Sequence, residues 1–424
     1  MKKNKFVRIV ATVACLLVPL PLTAESEGKH LFILSGQSNM RKPLPDAFKK
    51  SVETVFGEEK VVVATVAHPS QPIKQWYKNW KPPAGMVDER AETNGSIYDK
   101  MIPHVRKSLR GAPIKSVTYV WMQGEADAKA GWGSVYEASF FGVLDQLKED
   151  LEIEEINFVV GRINDFWLDP DQFPDGKLLR EIQVKLGEEN ANGAWIDTDD
   201  LNRGVNPWGG YSLCDGHFPP PSYRIMGKRF AKAACKLIDP GMKVNEETFA
   251  EAFFDGAGDV GSHVAISKEL SASVPPFSGS LEVLTDGAFA PLDPKDKGWV
   301  GFAPSDEAIE IVLDLGKVMR VEMAGVQLLF GPVMKADFPS TMTISTSPDG
   351  EAYLVNGSRY NKMTMDKNSR QELMKTETPL LIVTEQKNRE APDGVQARYV
   401  KVSFETGKNW IYFDEFIVNP SLKN

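Results

Sequence analysis

Short, mostly apolar runs rich in β-branched residues recur along the first half of the chain: LFIL at 31, KVVVATVA at 60, IKSVTYVWM at 114, INFVVG at 156 and AWIDT at 194. Runs of this kind predict strands buried on both faces. Longer segments with apolar residues at helical spacing lie between and after them: VYEASFFGVLDQLKEDL at 135, KLLREIQVKLGEEN at 177 and SYRIMGKRFAKAACKLID at 222. Strands alternating with helices predict an α/β unit, a parallel sheet covered on each side. Ligands of such sheets bind outside the carboxyl ends of the strands. Three polar clusters fall there: GQSNM after LFIL, QGEAD after VTYVWM and RINDF after INFVVG.

The pattern changes after CKLIDPG near 240. Gly, Ser, Val and Thr become frequent, helical spacing fades, and AIEIVLDLG, VEMAGVQLLFG, TMTISTSPDG, YVKVSFETG and WIYFDEFIV read as strands separated by Asp-Gly and Gly-Pro turns. This predicts an all-β unit, a sandwich or jelly roll. At 424 residues two units are the default expectation. The division expected is an α/β unit over 25–240, a partly structured connection over 241–280 and a β unit over 281–424.

The first 24 residues stand apart, with a basic start, an apolar stretch and Ala24 before ESEGKH. They read as an export signal cleaved near Ala24, too short and proline-broken to span a membrane. Cys15 raises the alternative of a lipoprotein site, but the apolar run continues past it and Thr12 is a poor residue three places upstream. Cleavage removes Lys2, Lys3, Lys5 and Arg8 and no acid, which moves the formal charge from −9 to −13. An acidic chain exported to the periplasm or the exterior is a poor partner for nucleic acid or an anionic membrane. Cys214 and Cys235 then remain, to pair or to stay as thiols, without metal-ligand spacing.

Of the candidate chemistry, Ser38 in GQSNM is either a turn residue or a nucleophile, since Ser, Asn and Gly are ordinary in strand-to-helix turns. A nucleophilic serine needs a histidine base and a group that orients it. His217 in LCDGHFPPP has Asp215 two residues upstream, on the same side of an extended backbone. His30 and His104 lack such a setting, His68 follows a strand and could line the same cleft, and His263 belongs to the second unit. Oxyanion donors are then sought in the N–H of Ser38, an N–H in HPSQPI and the side chain of Gln123, beside a turn-forming Gly124.

Taken together, GQSNM, PIKQW, NGSIYDKMIPHV, WMQGEADA and DGHF followed by SYRIMGKRFAKA resemble, in content and order, the sialate O-acetylesterase-like group. That group includes the acetyl xylan esterases of carbohydrate esterase family 6, within the SGNH hydrolases. The resemblance covers roughly residues 30–238. It implies a flavodoxin-like α/β/α sandwich and deacetylation of carbohydrate without a cofactor. It further implies Ser38 as nucleophile, His217 as base, Asp215 as its partner, and Ser38, Ser70 and Gln123 as oxyanion donors. Gln37, Asn39, Gly124 and Glu125 would support them, with Trp76 and Trp121 packed near the cleft. Two departures stand out. Pro69-Ser70-Gln71 replaces the usual Gly-Gly-Thr; Pro69 has no N–H to give, and Ser70 disfavours the positive φ a glycine would adopt there. Arg41 and Lys42 replace small residues after GQSNM, either to favour an acidic sugar or as a solvated turn.

The second unit resembles the discoidin or coagulation-factor type C family in LTDGAFA, GWVGF, IEIVLDLG, STSPDGEAY, ARYVKVSF and WIYFDEFIV. The resemblance implies a β-sandwich often used for carbohydrate binding, with a structural calcium that would involve Asp286 and Glu415. Two functional readings follow. One is an exported serine esterase acting on an acetylated carbohydrate, and the other is a glycan-binding protein on a degenerate esterase scaffold. The intact serine, histidine and aspartate favour the first.

Overall fold

The structure is a computed structural model. It describes residues 28–421 apart from 206–209, 244–245, 250–259, 292–295, 333–334, 357–358, 361–362, 376–377, 387, 389 and 392–393. The expected export signal, 1–24, lies outside the described residues.

The first half runs β1 (Lys29–Gly36), α1 (Leu44–Phe56), β2 (Val61–Ala67), α2 (Tyr98–Leu109), β3 (Ile114–Met122), α3 (Glu125–Ala130), α4 (Tyr136–Leu151), β4 (Asn157–Gly161), α5 (Gly176–Glu188) and β5 (Gly193–Ile196). A short hairpin, β6 (Gly204–Val205) and β7 (Gly210–Ser212), leads to α6 (Pro220–Ile238). Strands β1 to β5 form one parallel sheet in the order β2-β1-β3-β4-β5. Residues alternate between its faces, so β1 sends Leu31 and Ile33 to a core with α2, α4 and α5, and Phe32 and Leu34 to a core with α1 and α6. This double burial is why the strands read as apolar runs. The chain leaves β1 toward β2 on one side and returns as β3 on the other. The crevice between the ends of β1 and β3 is therefore the switch point at which such sheets bind ligands.

After α7 (Glu246–Phe249) the chain is almost all β: β8 (Glu269–Ala272), β9 (Val300–Phe302), β10 (Ile309–Val321), β11 (Met323–Phe330), β12 (Thr341–Ser347), β13 (Arg359–Tyr360), β14 (Thr364–Met365), a short α8 (Lys367–Leu373), β15 (Thr378–Glu385), β16 (Val395–Glu405) and β17 (Ile411–Val418). Two antiparallel sheets, β13-β12-β16-β10-β8 and β15-β11-β17-β9, enclose a shared core. In β10, Ile309, Ile311 and Leu313 face inward opposite Phe404, Val402 and Val400 of β16, the period-two pattern of a half-buried strand. Strand β8 pairs with β10, so the segment expected as a connection contributes an edge strand.

A third, small sheet joins the halves. Strand β7 pairs antiparallel with β6 and parallel with β14, Gly210 opposite Thr364 and Tyr211 opposite Met365. No helix among the described residues is long and apolar enough to cross a membrane.

Candidate active site

Ser38 sits half-buried in the turn that follows β1. The turn begins at Gly36, whose φ of +138° and close approach to β3 only glycine accommodates, since a Cβ there would lie 2.0 Å from the Met122 carbonyl oxygen. Gln37 N–H donates to that same carbonyl at 2.9 Å, and His68 N–H donates to the Gly36 carbonyl at 3.0 Å. The ends of β1, β2 and β3 are thus tied together beneath the serine.

The Ser38 hydroxyl lies 3.1 Å from His217 Nε2, bringing together groups far apart in the chain. Burial lowers the His217 pKa; the Asp215 carboxylate opposes this and Arg41 adds to it. The imidazole is therefore neutral at neutral pH and can accept a proton. Asp215 Oδ1 accepts the backbone N–H of His217 at 2.9 Å.

The 214–217 loop is clamped by asparagines. Asn39, next to the serine, donates to the Gly216 carbonyl at 2.9 Å and to Glu125 Oε1 at 2.8 Å, and its own carbonyl accepts the Tyr223 hydroxyl at 2.7 Å. Asn164 donates to the Asp215 carbonyl at 2.8 Å, and the Asp215 N–H donates to the Asn202 carbonyl at 3.1 Å. Asn39 was expected as a supporting residue; Asn164 and Asn202 were not singled out. The signal for Asn164 was its place in RINDF, the third polar cluster at a strand end.

Ser70 adopts φ +57°, so the conformation that its side chain disfavours is the one it takes. Among the described residues no acceptor takes the backbone N–H of Ser38 or of Ser70. Gln123 differs from the expectation of an oxyanion donor. Its amide nitrogen donates to the Gln71 carbonyl at 3.1 Å and to Asp127 Oδ2, while its carbonyl oxygen accepts the Tyr136 hydroxyl at 3.1 Å. Both amide hydrogens are committed, and one of them holds the loop that carries Ser70. Asp127 Oδ2 also accepts the Ile73 N–H at 2.9 Å, fixing the far end of that loop.

Gly124 takes φ +156°, and a Cβ there would come within 2.7 Å of Gln183 Nε2. Gln37 Oε1 accepts the Ala126 N–H at 3.3 Å. Burial pushes Glu125 and Asp127 up to about 7 each. Trp76 and Trp121 are fully buried beneath the strand ends, edge to face at 5.0 Å, with Trp76 Nε1 donating to Ser35 Oγ. Arg41 lies 5.8 Å over the Tyr223 ring, whereas Lys42 is exposed and pairs with Asp46. His30 contacts Ser116 Oγ at the opposite end of β1 and His104 is exposed on α2, so neither joins the site. Cys214 and Cys235 are both free thiols.

The residues expected at a calcium lie in the second unit. Glu415 is wholly buried, and among the described residues neither of its carboxylate oxygens has a hydrogen-bond partner. His263 Nε2 is 3.2 Å from Oε1 without hydrogen-bond geometry. Burial, then the charge of exposed Asp286, pushes Glu415 up to about 9, and burial pushes the neighbouring Asp414 up to about 8. A buried carboxylate with two orphaned oxygens calls for a proton or a hard cation. Among the described residues no three such side chains converge on one point, so backbone carbonyls and water would complete any shell.

Residues 44–236 match the family described as carbohydrate esterase, sialic acid-specific acetylesterase. The match takes in Gln123, Asp215 and His217 and begins after Ser38. No curated protein matches the chain. Among solved structures, a protein from Arabidopsis thaliana is similar at 18% identity and a TM-score of 0.35, covering 49% of this chain and 98% of that one. A chitosan-binding module of a Paenibacillus chitosanase/glucanase is similar at 14% identity and a TM-score of 0.26, covering 37% and 98%. A fucose-binding module of Streptococcus pneumoniae has the same identity and TM-score, covering 37% and 96%.

Proposed function

We propose, from the carbohydrate-esterase family that residues 44–236 match, that this protein is an exported serine esterase removing O-acetyl groups from a carbohydrate. The observation that carries the reading is the 3.1 Å approach of Ser38 Oγ to His217 Nε2 at the carboxyl end of β1. Ser38 Oγ attacks the acetyl carbonyl carbon as its proton passes to His217 Nε2. The N–H groups of Ser38 and Ser70 hold the resulting oxyanion. Collapse breaks the ester C–O bond, and the sugar oxygen leaves with the proton from His217. Water then attacks the acetyl-Ser38 carbonyl, His217 takes its proton, and acetate departs as that proton returns to Ser38. Asp215 favours the transient imidazolium by its charge. Gln123 acts through the Ser70 loop that it tethers, and Gln37, Asn39, Gly124 and Glu125 keep the two loops in register.

The chemistry draws on no cofactor in this scheme. In the second unit, Glu415 and Asp286 would hold a calcium-type cation, which neutralises a buried charge.

The test is hydrolysis of a chromogenic acetate ester by the full-length protein, with Ser38→Ala beside it. Wild type should hydrolyse the ester, and the variant should lose about a thousandfold or more in kcat. Equal hydrolysis by the two would overturn the assignment of Ser38.

A further inference from the structure

We infer that the β-sandwich is a working part of the esterase centre, with Ser369 of the sandwich positioning the loop that carries Asp215 and His217; this rests on the reading above. The hairpin before that loop belongs by packing to the other unit. Val205 of β6 and Tyr211 of β7 are buried in the sandwich core, with Tyr211 against Phe338 at 5.4 Å between ring centres. Strand β7 extends β14, and the Asp366 N–H donates to the Tyr211 carbonyl at 3.4 Å.

The connection continues to within a few residues of the base. Ser369, only 4% exposed, accepts the Leu213 N–H at 2.8 Å, and its hydroxyl lies 3.4 Å from that of Ser212. Ser212 Oγ in turn accepts the Cys214 N–H at 3.2 Å and donates to the Cys214 carbonyl at 2.8 Å. Asp366 caps α8, accepting the N–H groups of Asn368 and Ser369 at 3.0 Å each, which fixes Ser369 in the helix. Asp215 follows Cys214 directly.

The loop is therefore held from two sides, by Asn39, Asn164 and Asn202 of the α/β unit and by Ser369 of the sandwich. An N–H at Leu213 deprived of its acceptor would turn to water. A shift of about 1 Å there, passed along four residues, is enough to break the contact between Ser38 and His217, and misplacement of that size costs about a hundredfold in rate.

The experiment compares full-length wild type with Ser369→Ala, Ser369→Thr and Ser345→Ala, the last a buried strand serine of β12 outside this chain of contacts. On a chromogenic acetate, Ser369→Ala should lose about tenfold or more in kcat with KM unchanged. Ser369→Thr, which keeps the hydroxyl, should recover most of it, and Ser345→Ala should keep the wild-type kcat. The His217 ring resonance, followed by NMR against pH, reads the same effect without turnover: its midpoint should rise toward the ordinary histidine range in Ser369→Ala as water reaches the ring. Should Ser369→Ala not fold, Ser369→Cys, close in size and a weaker acceptor, gives the same comparison. Unchanged kcat and an unchanged His217 midpoint would overturn the inference. Absence of turnover in wild type would overturn the esterase reading instead, leaving the midpoint to decide the role of Ser369.

Discussion

Ser70 holds a backbone conformation that costs a non-glycine residue about 1–2 kcal/mol, in the loop proposed to give an N–H to the oxyanion. Gln123 and Asp127 supply the restraint that keeps it there, through the Gln71 carbonyl and the Ile73 N–H. Two substitutions separate strain from function. Ser70→Gly should stabilise the fold by roughly 1 kcal/mol, read as a rise in Tm, and keep activity, because the N–H survives. Ser70→Pro removes the N–H and forbids the positive φ, and should lower kcat by about a hundredfold or more. Equal activity in the two would exclude Ser70 as an oxyanion donor. Motif and residue type were enough to propose Ser38, His217 and Asp215. They could not tell that Gln123 would be fully committed to the Ser70 loop, because hydrogen-bond partners supplied by distant segments leave no local pattern.

The long elements were legible for a physical reason. The central strands β1, β3 and β4 are buried on both faces, and β10 and β16 on one, so continuous or alternating apolar runs announce them. Strands β6, β7 and β14 are two or three residues each, and β7 pairs with β14 across about 150 residues of sequence, which leaves no periodic signal. Strand β17 is a further case, because every position is buried and Asp414 and Glu415 lie inside rather than on a solvent face. That choice has a pH consequence. Glu415 ionises near 4.5 in the unfolded chain and near 9 in the fold, so below pH 4.5 both states hold the proton and carry no penalty. Between those values the unfolded chain releases its proton first, and stability falls as pH rises. In chelator, Tm should therefore drop from pH 5 to pH 9. Calcium should raise Tm at pH 8 and flatten the profile, and Glu415→Gln should abolish the calcium effect and reduce the fall to the part that Asp414, Glu125 and Asp127 contribute. A Tm indifferent to calcium at pH 8 in wild type would remove the cation from the account.

At the scale of the whole molecule, the two units meet beside the candidate site. The α/β sheet places the Ser38 turn at its switch point, while the hairpin that precedes the His217 loop is embedded in the sandwich. The change of pattern near 240 predicted an α/β unit followed by a β unit. The β6-β7-β14 sheet and the Ser369 contact cross that division. The central claim is that Ser38 is a nucleophile activated by His217. A fluorophosphonate reacts far faster with an activated serine than with an ordinary one, so labelling the full-length protein and mapping the adduct by mass spectrometry tests it most directly. One adduct on the peptide bearing Ser38, lost in His217→Ala, is the result expected. A folded protein that takes no label, or takes it at another residue, would contradict the account.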